Sequence, residues 1–122
     1  MATIMIVDDS PVIRRVISTI LKKMGHSILQ AHNGKMALEQ LTNTNVDLVI
    51  SDVTMPQMDG IALLENVRSS SHFPQMPFVM LTANGQFEEQ ERAKSCGADG
   101  FLTKPTSSQQ LTEVVNDLLQ RQ

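Results

Sequence analysis

The chain contains no tryptophan, no tyrosine and only one cysteine among its 122 residues. A lone thiol cannot close an internal disulfide. No His or Cys stands near Cys96 at a metal-ligand spacing, so it reads as a structural thiol in a reducing compartment. The histidines His26, His32 and His72 are scattered over predicted helix ends and loops, which leaves a zinc or iron centre without a ligand set. No apolar stretch approaches the roughly 20 residues needed to cross a bilayer, so membrane insertion is not expected. The N-terminus enters a strand-like run at once, which argues against a signal peptide. Basic residues form neither a block nor a stripe and the net charge is −3, so nucleic acid is not an expected partner. A cytoplasmic location is expected.

What is present is the composition of a soluble globular protein, 41% hydrophobic and 19% charged, long enough for one core and too short for two. One domain spanning residues 1–122 is therefore expected. The chain is organised around DLVISDVTMPQMDG, residues 47–60. Leu48, Val49 and Ile50 form a short branched run without alternation, which suits a strand buried on both faces of a parallel sheet. Such a strand delivers its last residue, Asp52, to the carboxyl edge, where open α/β sheets bind ligands. Met55-Pro56 then imposes a turn, and Asp59 caps the helix that follows.

The rest of the chain repeats this strand-then-helix rhythm. TIMIV, residues 3–7, is a buried strand ending in Asp8 and Asp9. Ser10-Pro11 starts a helix as N-cap and first-turn proline, and Gly25 ends it. Its apolar residues Val12, Ile13, Val16, Ile17, Ile20, Leu21 and Met24 are read as a broad face fully explained by packing. SILQA, 27–31, is a weaker strand, and Asn33-Gly34 leads into a short helix carrying Met36, Ala37, Leu38 and Leu41. Ile61, Leu63, Leu64 and Val67 predict a third helix, 69–77 a loop, and FVMLT, 78–82, a strand that ends in the hydroxyl of Thr82. Residues 86–95 are helical by propensity but mostly polar, hence the least tightly packed helix. Gly100–Thr103 is a fifth strand leading to Lys104-Pro105. Ser107 or Ser108 caps a last helix burying Leu111, Val114, Val115, Leu118 and Leu119. Strands alternating with helices imply right-handed crossovers and a doubly wound parallel sheet.

Parallel strands would bring Asp8, Asp9, Asp52, Thr82 and Lys104 to one edge. Two carboxylates about 5 Å apart repel by roughly 3 kcal/mol at an effective dielectric of 20, so three together call for a cation. Mg²⁺ suits oxygen ligands of this kind.

In order and spacing, the acidic pair of TIMIVDDSP, the aspartate of DLVISDVTMPQMDG, the hydroxyl of FVMLTA and the lysine of GFLTKP resemble the receiver domain of two-component response regulators, and specifically a stand-alone, CheY-like member. The resemblance covers essentially the whole chain. It implies the flavodoxin-like strand order 2-1-3-4-5 and a phosphoacceptor, Asp52, that takes a phosphoryl group from a sensor histidine kinase or a histidine phosphotransfer protein. It further implies Mg²⁺ held by Asp9 and Asp52 carboxylates, by the Thr54 carbonyl and, through water, by Asp8. Thr82 and Lys104 would hold the phosphoryl oxygens, and Thr82 and Phe101 would act as the switch. The chain would act as a monomer that catalyses only its own phosphorylation and dephosphorylation, its output read by a downstream protein on the face of the fourth helix, fifth strand and fifth helix, in chemotaxis or motility. The chain departs from the family's commonest residues at Phe101, where tyrosine is frequent, and at Thr106, where phenylalanine is. Thr54 and Asn84 stand where the family tunes dephosphorylation.

Three other readings share this fold. A haloacid dehalogenase-like phosphatase would also use Asp52 as nucleophile, but it wants an acid two residues later, where Thr54 stands. A receiver-like scaffold that is never phosphorylated would not need the complete residue set. A nucleotide- or flavin-binding module lacks the glycine-rich loop after the first strand, where Asp8-Asp9 would repel a phosphate.

Overall fold

Every strand of the sheet runs in the same direction, because each is followed by a helix that returns the chain to the starting edge. The computed structural model describes residues 2–83 and 87–120, without the side chain of Glu89. Within them the elements are β1 (Thr3–Val7), α1 (Pro11–Lys23), β2 (Ser27–Ala31), α2 (Gly34–Asn43), β3 (Leu48–Asp52), α3 (Gly60–Arg68), β4 (Phe78–Ala83), α4 (Phe87–Ser95), β5 (Gly100–Lys104) and α5 (Ser108–Gln120). The strand order is β2-β1-β3-β4-β5, the order the resemblance implied. Gln86 and Asn84, named above, lie outside the described residues.

Alternate residues of each central strand feed two separate cores, which is why the runs look uniformly apolar. Met5, Val49, Phe78 and Met80 pack beneath α2, α3 and α4 with Leu63, Leu64 and Ala93. Ile4, Ile6, Ile50, Val79 and Leu81 pack beneath α1 and α5 with Ile17, Leu21, Leu111 and Val115. Burying one such side chain completely contributes about 1.5–3 kcal/mol, so the two faces hold β3, buried along all five residues, in place between them.

The helix starts follow the predicted chemistry. Ser10 Oγ accepts from the Ile13 N–H at 3.3 Å and Asp59 Oδ1 from Ala62 at 2.8 Å; Asn33, not read as a cap from the sequence, accepts likewise from Met36 at 2.8 Å. Of the two serines proposed for α5, Ser107 is the cap, its Oγ accepting from the Gln110 N–H at 3.1 Å. Gly25 and Gly97 end α1 and α4 at φ of 95° and 100°, in the left-handed region where a side chain is strained.

One expectation is corrected. Packing does not account for the whole apolar face of α1, because Val12 is 65% and Val16 50% exposed. The inward stripe is Ile13, Ile17 and Leu21. Val12 and Val16 sit one residue earlier, about 100° round the helix, and the core ends before it reaches them. The expected looseness of α4 fits its contacts: Ala93 is fully buried, whereas Phe87 is 68% exposed. Its far end is pinned by Arg68, whose Nη2 bonds Gly97 O at 2.7 Å and Asp99 Oδ2 at 2.9 Å.

Candidate functional site

Register places the acids side by side. Asp52 ends β3 opposite Leu81 of β4, and Val7, just before Asp8, pairs with Ser51. Lys104, at the end of β5 beside Ala83, reaches across β4, so that its Nζ lies 3.0 Å from Asp52 Oδ1 and 3.1 Å from Asp8 Oδ2. Asp8, Asp9 and Asp52 each offer a carboxylate oxygen within 4.8 Å of the others. Asp8 is fully buried, Asp52 nearly so, and Asp9 exposed. Four of the predicted site residues thus meet at one point. Thr54 stands exposed in the loop after β3. Thr82 is buried at the same edge, with its hydroxyl donating a long 3.5 Å bond to Leu102 O of β5. Phe101 is half-buried against the core that contains Met80 and Ala93.

Burial raises the Asp52 pKa above the ordinary carboxylate value. The hydrogen bond from Lys104 works against this, but the neighbouring charges of Asp8 and Asp9 add to the rise. Burial alone would lower the Lys104 pKa. Its hydrogen bond to Asp52 and its attraction to both carboxylates outweigh that, so the net shift is upward and the ammonium stays charged.

The acids also show what they lack. Asp8 Oδ1 accepts from the Ser10 N–H at 2.9 Å, whereas Oδ2 is buried without a directed hydrogen bond, even though the ammonium is 3.1 Å away. The two facts are compatible: Coulomb attraction needs only proximity, and a hydrogen bond needs direction. A buried carboxylate oxygen left in this state, beside two more carboxylates and no nitrogen or sulfur donor in the cluster, fits a hard divalent cation such as Mg²⁺.

The loop after Asp52 is held by glycines whose role the sequence reading did not identify. The Gly60 N–H donates to Val53 O at 2.7 Å, and a Cβ at Gly60 would lie 2.1 Å from Asp52 O. The Gly34 N–H donates to Met58 O at 3.2 Å, and a Cβ there would come within 2.5 Å of the same oxygen. Gln57 adopts φ 69° between them. An Asp-Gly pair closing a short loop was the available signal, but a helix cap explained it equally well.

An apolar groove of about 300 Å³ opens beside Lys104, lined by Val12, Ile13, Val16, Leu81, Pro105 and Thr106. A cavity of about 510 Å³ lies at the opposite edge, near Asp47, His72 and Pro77, and includes none of the acids or Lys104. Size and chemistry therefore separate, and the acid cluster is the candidate site.

The family model described as the response regulator receiver domain matches residues 4–116. A chemotaxis protein CheY homolog of Campylobacter jejuni is 36% identical over 118 residues, covering 95% of this chain and 91% of the relative. A crystal structure of a putative response regulator from Chloroflexus aurantiacus superposes with a TM-score of 0.95 at 32% identity, covering 98% of each chain. The chemotaxis response regulator CheY4 of Vibrio cholerae superposes at 0.90 with 34% identity, covering 97% of this chain and 98% of that one.

Proposed function

The chain belongs to the response regulator receiver domain family, and from that premise we propose that Asp52 is a phosphoacceptor in a two-component signalling pathway. The observation that carries the reading is Lys104 Nζ, 3.0 Å from one carboxylate oxygen of Asp52 at an edge shared with two further acids. An oxygen of Asp52 attacks the phosphorus of a phosphohistidine, the P–N bond breaks, the imidazole leaves, and an acyl phosphate forms. Water later attacks the same phosphorus, releasing inorganic phosphate and restoring the carboxylate.

Such a transfer depends on charge neutralisation and in-line positioning more than on acid or base groups. Lys104 supplies a fixed positive charge within reach of the phosphoryl oxygens. The Thr82 hydroxyl, held among the described residues by a long 3.5 Å bond to Leu102 O, can leave that carbonyl for a phosphoryl oxygen at little cost. Mg²⁺, held by the carboxylates of Asp9 and Asp52, the Thr54 carbonyl and, through water, Asp8, would neutralise charge on the transferring group. The raised pKa of Asp52 marks a carboxylate that gains from a nearby cation.

The phosphodonor is a kinase or phosphotransfer protein bearing phosphohistidine. The groove of Val12, Val16 and Pro105 beside Lys104 supports docking there, since a donor must lie against this edge to reach Asp52. Output passes to a partner protein on the face of α4, β5 and α5, where exposed Phe87 and a small cavity bordered by Phe101, Gln110 and Val114 offer contact. We place the protein in the cytoplasm as a monomer, acting on no substrate but itself, in chemotaxis or motility. The CheY-type relatives support that last assignment. A dehalogenase-type phosphatase is disfavoured by the family match and by Thr54 standing where its acid would be.

Beryllofluoride, a phosphoryl mimic, tests the reading. With Mg²⁺ present it should shift the amide resonances of Asp52, Thr82 and Lys104 and carry on to Phe101 and α4. An unchanged spectrum would remove the phosphoacceptor reading.

A further inference from the structure

Arg14 of α1 lies beside the end of β1, and its hydrogen bonds among the described residues go to uncharged acceptors. Its Nη1 donates to the backbone carbonyl of Asp8 at 2.5 Å, and its Nε to Gln30 Oε1 at 3.2 Å. The Gln30 amide is itself oriented by donating Nε2 to the buried Ser18 hydroxyl at 3.0 Å. A chain of bonds thus runs from α1 through β2 back to the end of β1.

The geometry explains why that carbonyl needs a donor. The Asp8 N–H bonds Ala31 O at 3.1 Å, and in a parallel strand the N–H and C=O of one residue face the same neighbour. But β2 ends at Ala31, so the next ladder donor is missing. The guanidinium takes its place and extends the β1–β2 ladder by one bond, at the peptide that joins Asp8 to Asp9.

We infer that Arg14, oriented by Gln30, is a positioning residue that fixes the Asp8–Asp9 peptide and thereby holds both carboxylates ready for the divalent cation. The inference rests on the metal-binding reading above. It makes a prediction opposite in sign to the obvious alternative. As a mere neighbouring positive charge, Arg14 would repel Mg²⁺, and its removal would tighten binding. As a positioning group, its removal weakens binding, and loss of such outer supports typically costs about 10-fold or more in metal affinity.

The test is an amide NMR titration with Mg²⁺ alone, on the wild type, Arg14→Met, Arg14→Lys and Gln30→Leu, well below their melting temperatures. Arg14→Met should weaken binding about 10-fold. Arg14→Lys keeps the charge but cannot bond Asp8 and Gln30 as one planar fork, so it should weaken binding severalfold. Gln30→Leu leaves the guanidinium in place and should move affinity in the same direction by less. Tighter binding in Arg14→Met with no change in Arg14→Lys would overturn the inference in favour of simple repulsion. Lower melting temperatures with unchanged affinity would overturn it in favour of a purely structural role. If Arg14→Met fails to fold, the Lys and Leu variants carry the same test. A wild type that does not respond to Mg²⁺ would overturn the metal reading itself, and the inference with it. A responsive wild type with unresponsive variant affinities overturns the inference alone.

Discussion

Gly60 stands so close to Asp52 that a Cβ at position 60 would lie 2.1 Å from the Asp52 carbonyl oxygen, a contact between two backbones that no rotamer change can relieve. The first turn of α3 therefore sits directly against the proposed phosphoacceptor. Gly60→Ala should destabilise the fold by about 1–3 kcal/mol, the range for overpacking, and impair labelling of Asp52 by a small phosphodonor. Urea denaturation and intact mass would read the two effects. A variant as stable and as readily labelled as wild type would show that the contact relaxes at no cost.

Asp52→Asn should raise stability at neutral pH. Because the folded-state pKa of Asp52 is raised, this group's contribution to stability is fully present below the ordinary carboxylate pKa and is lost as pH rises through the raised one. At pH 7 the ionised, buried carboxylate is thus a net cost, which the neutral amide removes. A gain is expected near pH 7, shrinking as acid protonates the wild-type carboxyl. Equal or lower stability of the variant at pH 7 would show that Lys104 outweighs burial and repulsion at this site.

Lys104→Met should act in the opposite direction, because it strands the buried Asp8 carboxylate. A cost of about 3 kcal/mol is expected in the absence of divalent cation, with substantial recovery on adding Mg²⁺. Mg²⁺ affinity itself should be no weaker than in wild type, since a competing positive charge has gone. Weaker binding would mean that Lys104 organises the acids. The upward shift of its pKa means that its contribution to stability persists to alkaline pH and disappears only as pH rises through the raised value.

The groove beside Lys104 separates chemistry from recognition. Val12 and Val16 are mostly exposed, so Val16→Lys should alter stability by less than about 0.5 kcal/mol and leave labelling by a small phosphodonor unchanged. Transfer from a phosphohistidine protein should slow about 10-fold. An unchanged transfer rate would place the donor elsewhere.

Much of this was legible from the chain alone, for physical reasons particular to the elements. Residues 48–52 and 78–82 are buried on both faces, so their unbroken apolar runs identified strands and placed Asp52 and Thr82 at the carboxyl edge. The caps Ser10 and Asp59 are local, within three residues of the N–H they satisfy. Long-range contacts were not legible. Nothing in GFLTKP says that Lys104 reaches across β4 to both Asp8 and Asp52. The 2.1 Å approach of residue 60 to Asp52 depends on how α3 leaves the loop. The apolar face of α1 was over-explained, because periodicity reports a stripe without reporting where the core beneath it stops.

The central claim is that Asp52 accepts a phosphoryl group with help from the surrounding acids and lysine. Incubation of the wild type and Asp52→Asn with acetyl phosphate and Mg²⁺, followed by intact mass, tests it most directly. The wild type should gain the mass of one phosphoryl group, lose the signal when the divalent cation is chelated beforehand, and show no gain in Asp52→Asn. Equal labelling of Asp52→Asn, or no labelling of the wild type under any donor concentration, would contradict the account.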